Sequence, residues 1–93
     1  MFHVIAIESV PSPEAGESRY EIRVIVDGEE RTFPAEVRPA PKGVQLDWAD
    51  EFQDLLMLHG ADFVVMNRLL YEAHEGVAAL PVALGRPMAS NEI

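Results

Sequence analysis

The side chains of this 93-residue chain that could move protons or hold a metal are three histidines, His3, His59 and His74, and sixteen carboxylates, with no cysteine. Histidine titrates closest to neutrality, so a histidine oriented by a carboxylate is the acid/base pair this composition could offer. The candidates are His74 with Glu72 or with Asp47. Each histidine also has a plainer reading. His3 falls in a strand, and His59 and His74 sit near helix C-termini, where a cation complements the dipole. If the two helices form an antiparallel hairpin, His59 and His74 lie at opposite ends, about 20 Å apart on a rise of about 1.5 Å per residue, and share no metal.

Sharper signatures are absent. There is no Gly-x-Gly-x-x-Gly, no Gly-x-x-x-x-Gly-Lys, no Gly-x-Ser-x-Gly, no His-Glu-x-x-His and no calcium loop, and these patterns carry the common nucleotide, hydrolase and metal chemistries. No catalytic residue, metal or cofactor is assigned, and a non-enzymatic role is favoured. Without cysteine a disulfide framework and thiolate chemistry are excluded, which suits a reducing cytoplasm.

Charge gives the next signal. The formal net charge is -9, with seven Lys and Arg against the sixteen carboxylates, a field that repels phosphate backbones and anionic lipid. Direct nucleic-acid or membrane binding is therefore not expected. No apolar run approaches the roughly 20 residues that cross a bilayer, and Met1-Phe2-His3-Val4 lacks the basic start of a signal peptide, so the expected location is cytoplasmic. Acidity is concentrated between Gly43 and Asn67, where no Lys or Arg occurs. There Asp47, Asp50, Glu51 and Asp54 recur at spacings of three and four, which gathers them on the helix side opposite Trp48, Phe52 and Leu55. A solvated face is the ordinary meaning of such a run. The functional meaning is a docking surface for a basic protein partner, with these four as the candidate partner-binding residues.

The elements that position these groups can be read from periodicity. Phe2–Ile7 is a short β-branched run, the first strand. Residues 10–18, rich in proline and polar side chains, read as a mobile loop. Residues 18–38 alternate apolar and polar around Asp27-Gly28, the strongest short-range hairpin signal. A two-residue turn there sets Val26 against Glu29, Val24 against Arg31, Ile22 against Phe33 and Tyr20 against Ala35, keeping one face largely apolar. A three-residue loop mixes the faces, and a four-residue loop opposes Glu21 to Glu36 and Arg19 to Arg38, like charges across a ladder. In the two-residue register Pro34 turns its missing N–H outward, which predicts that the third strand is an edge.

Arg38-Pro-Ala-Pro-Lys-Gly43 reads as punctuation before a helical region. Asp47 is the expected N-cap of a first helix whose buried stripe is Trp48, Phe52, Leu55, Leu56 and His59, ending at Gly60. Asp62 caps a second helix, Phe63–Glu75, ending at Gly76. Its apolar arc is wide and needs cover on more than one side. That excess makes Met66, Leu70 and Tyr71 a candidate dimer seam, since small domains enlarge thin cores by association. Val82–Leu84 can add a strand beside the first, and residues 86–93 read as a frayed tail.

The predicted architecture is a single α+β domain over residues 1–93: a small antiparallel sheet of three or four strands, in a 1-2-3 meander, with two helices packed on one face. The expected function is a self-associating, non-enzymatic protein–protein interaction module. The alternatives are a small enzyme or ligand-binding protein with a histidine/carboxylate site between sheet and helices, and a nucleic-acid mimic that blocks a DNA-binding protein.

Overall fold

The hairpin about Asp27-Gly28 organises the fold. In the computed structural model, which describes residues 2–12 and 14–84, β2 (Ser18–Val26) and β3 (Glu29–Ala40) pair in the two-residue register, with Val26 opposite Glu29 and Ile22 opposite Phe33. Asp27 and Gly28 both take positive φ, 51° and 83°, the pair of left-handed residues that a tight hairpin turn requires. Tyr20, Ile22, Val24, Phe33, Ala35 and Val37 are consequently buried on one face.

The first strand, β1 (Phe2–Val10), runs three residues beyond its expected end and pairs with β2. Val4 opposes Val24 while Ala6 opposes Arg23, leaving Ile5 as an extra residue. This bulge shifts the alternation by one. Without it Ile7 would point outward; with it Ile7 meets Ile22 on the core face.

The third strand is not an edge, which corrects the expectation drawn from Pro34. Residues Gly43–Trp48 form β4, which pairs antiparallel with β3 from Ala40–Gly43 to Ala35–Trp48 across a Pro41-Lys42 turn. With β5 (Val82–Leu84) beside β1, the sheet has, among the described residues, five strands in the order β4-β3-β2-β1-β5, where three or four were expected. Asp47 is accordingly a strand residue. The helix it was expected to cap starts later, as α1 (Asp50–Leu58), with Ala49 as an N-cap that makes no side-chain hydrogen bond.

Proline explains that boundary. Pro34 accepts a hydrogen bond from the Ala49 N–H at 3.3 Å but has no N–H to return. The Ala49 carbonyl is thus left to accept from Phe52 and Gln53, at 3.0 and 3.1 Å, and these bonds open the helix. Strand becomes helix at the residue where the ladder loses its donor.

Both helices end alike. After α1 the Gly60 N–H donates to Met57 and the Ala61 N–H to Leu56; after α2 (Phe63–His74) the Gly76 N–H donates to Ala73 and the Val77 N–H to Glu72. Gly60 and Gly76 have φ of 65° and 79°, as this double closure of the last carbonyls demands. The Asp62 carboxylate accepts from the Val64 N–H at 2.8 Å, the predicted cap of α2.

The helices bury Phe52, Leu55, Leu56, Met66, Leu69 and Leu70 against the sheet. Phe52 is central: its ring lies 6.3 Å from Phe2, 5.2 Å from Phe33 and 5.8 Å from Trp48, side chains from β1, β3 and β4. Phe52→Ala should destabilise the fold by about 3–5 kcal/mol, read as a lowered urea midpoint. An unchanged midpoint would show that the three strands hold together without it.

Candidate functional site

The structure divides the four acidic candidates. Asp50, Glu51 and Asp54 are exposed on α1, and among the described residues none of them forms an ion pair. Asp47 is on the outer face of the sheet, where its Oδ2 accepts from Arg38 Nη2 at 2.9 Å and from Gln45 Nε2 at 3.3 Å.

That outer face is a charge ladder. Arg23 donates to Glu8 at 2.8 Å and lies 3.4 Å from Glu30, linking β1, β2 and β3. Arg19 lies 3.1 Å from Glu17 and 3.4 Å from Glu36. Arg38 contacts Glu36 at 2.8 Å, Asp47 at 2.9 Å and Glu17 at 3.6 Å. The hydrogen bond to Glu36 acts most strongly on the Arg38 guanidinium; it and the charges of Glu36, Asp47 and Glu17 raise its pKa further, against a desolvation that lowers it. Three arginines are thus engaged by carboxylates on the outer face of the sheet.

The seam candidates also separate. Met66 and Leu70 are fully buried, at 0% exposure, under the chain's own sheet, so they are not on a surface where a second molecule could reach them. A five-stranded sheet covers the wide arc of α2 that a narrower one would have left open. Tyr71 is exposed.

The histidines lie apart. His59 packs edge-on against Phe2 with ring centroids 5.5 Å apart, next to the end of β2, where Phe2 opposes Val26. His74 meets Tyr20, its Nδ1 2.7 Å from the phenol oxygen. Tyr20 and Val26 are six residues apart on β2, about 20 Å at about 3.3 Å per residue. The hydrogen-bonded partner of His74 is a phenol, where Glu72 and Asp47 were the candidates for an acid/base pair. His74 borders a shallow cavity of about 170 Å³, lined also by Gly16, Ser18, Arg38 and Val44 among others. Among the described residues no three His, Asp or Glu side chains are grouped to hold a metal.

One surface was missed in the sequence. Leu58 and Met57, at the end of α1, are 79% and 63% exposed. Leu58 follows Asp54 by four residues and Glu51 by seven, a spacing that stacks them along one stripe, and together with Arg31 these residues line a depression of about 280 Å³. Arg31 is held there over the Phe33 ring, 5.2 Å from its centroid. The signal was available: Met57 and Leu58 fall outside the Phe52, Leu55, Leu56 arc, so one helix cannot bury all five.

Two substitutions test these arrangements. Tyr20→Phe removes the hydroxyl bound to His74 and should cost about 0.5–1.5 kcal/mol; the same denaturation curve as the parent would show the bond contributes nothing. Arg38→Met leaves Glu17, Glu36 and Asp47 facing one another and should lower the urea midpoint at low salt, with a smaller loss at high salt, where screening weakens their repulsion. A loss independent of salt would assign the effect to packing of the arginine stem.

Among the described residues no helix is long and apolar enough to cross a membrane. Comparison of the chain with protein-family models, curated proteins and solved structures found no match.

Proposed function

We propose that this chain is a non-enzymatic interaction module that receives a basic, amphipathic segment of a protein partner on the exposed face of α1. The observation that carries this reading is the stripe Glu51, Asp54 and Leu58, in which carboxylates that form no ion pair among the described residues flank a leucine left 79% exposed. Charged residues alone make a solvated face; an exposed large apolar side chain among them adds surface that gains from being covered. A partner with an apolar side chain for Leu58 and Met57 and with Lys or Arg for Asp50, Glu51 and Asp54 matches both features. The charges would steer encounter and the leucine would slow dissociation.

Supporting this over an acid/base site is the setting of His74. Its hydrogen bond is to a tyrosine of the core, among the described residues no carboxylate is bonded to the ring, and it stands beside a small open cavity.

The test is affinity capture with the tagged full chain, comparing the parent with Leu58→Lys and with the triple reversal Asp50→Lys, Glu51→Lys and Asp54→Lys. Both variants should lose the same captured protein, and raised salt should weaken capture by the parent. Retention of every captured protein by both variants would rule out this surface.

A further inference from the structure

We infer that β4 is a seam between two copies of this chain, joined edge to edge across a two-fold axis perpendicular to the sheet and centred on Leu46. The surface is distinct from the α1 stripe, and the inference does not depend on that reading.

The two sheet edges are treated differently. Among the described residues β5 is Val82–Leu84, preceded by Pro81, and proline is a usual means of blunting an edge. β4 is six residues long, Gly-Val-Gln-Leu-Asp-Trp, without proline, lysine or arginine. Gly43, Gln45 and Asp47 oppose Ala40, Arg38 and Glu36, and the Ala49 N–H to Pro34 bond continues that set. By the alternation of an antiparallel ladder, Val44, Leu46 and Trp48 then direct their N–H and C=O groups away from β3. Among the described residues no strand lies on that side. Their side chains lie on the core face, where Leu46 and Trp48 pack against the core from partly exposed positions and Val44 is 36% exposed.

Self-pairing has few possible registers, because opposed residues must project from the same face and the axis must relate identical strands. Centring on Asp47 sets Asp47 against Asp47 of the second copy, like charges directly across the ladder. Centring on Gln45 leaves Trp48 without an opposite. Centring on Leu46 sets Leu46 against Leu46, Val44 against Trp48 and Gln45 against Asp47, the last two occurring twice by symmetry. Apolar then meets apolar on the core face, and an amide meets a carboxylate on the outer face. The strand is thus complementary to itself in one register, which commits it to a second copy over an unrelated peptide. The product is a continuous sheet of ten strands.

The measurement is sedimentation equilibrium of the purified full chain, with far-ultraviolet circular dichroism as the check on folding. The parent should be a dimer. Val44→Pro removes an N–H that β3 does not use, so the fold should persist while the chain becomes monomeric. Gln45→Asp sets like charges against each other twice in the dimer and should raise the dissociation constant about tenfold; it decides the matter if the proline variant fails to fold. A parent that stays monomeric at the highest attainable concentration overturns the seam. So does a dimer whose dissociation constant is unchanged in Gln45→Asp, which would place the contact elsewhere, Tyr71 included.

Discussion

The burial of Phe52 against three strands is the constraint on which the remaining structure depends. A single ring touching Phe2, Phe33 and Trp48 requires that β1, β3 and β4 bring those side chains to one place, and a flat sheet would spread them too widely. The sheet curls, and the bulge at Ile5 lets β1 keep its apolar side chains on the inside as it does so. Once Phe52 is seated, the direction of α1 is set, and the Gly60 closure and Asp62 cap turn the chain into α2. The second helix then finds its place through Trp48 and Phe63 at one end, 6.3 Å apart, and Tyr20 and His74 at the other.

Charge follows from the same geometry. An open sheet face needs polar side chains, and this one places Arg19, Arg23 and Arg38 among Glu8, Glu17, Glu30, Glu36 and Asp47. With so few cations in the chain, three are used on this face, and Arg31 borders the α1 stripe. On the sheet the arginines are paired with carboxylates that outnumber them, whereas Asp50, Glu51 and Asp54 form no ion pair among the described residues. Exposed pairs of this type contribute little each to stability; their larger effect is on where the net charge appears.

Much of the framework was legible. The β2–β3 register followed from the requirement that one face be apolar, and the cap and stop of α2 were explicit in Asp62 and Gly76. What escaped was β4. Its alternation of Val44, Leu46 and Trp48 covers six residues, and it shares Trp48 with the helical spacing Trp48, Phe52, Leu55 and Leu56. An aspartate just ahead of that run resembled a cap. Two periods overlapped at one tryptophan, and local pattern could not decide between them; pairing with β3, a tertiary fact, did. The consequence passed to the site. Asp50, Glu51 and Asp54 were read correctly as one exposed helix face, Asp47 was grouped with them only because the helix was begun too early, and Met66 and Leu70 looked surplus because the sheet was expected to be narrower.

The junction at Ala49 is a second tie between sheet and helix, beside the packing of Phe52. One residue separates β4 from α1, and it is tied by its N–H to β3 and by its carbonyl to the first turn of the helix. A helix joined by a long loop could fray or swivel while its sheet stayed intact. Here the first turn of α1 shares its closing residue with the ladder, so opening the helix from that end also strips a bond from the sheet. Displacing the end of β4 shifts the helix in turn. The strand edge and the acidic stripe are in this sense two ends of one rigid lever whose fulcrum is a proline carbonyl.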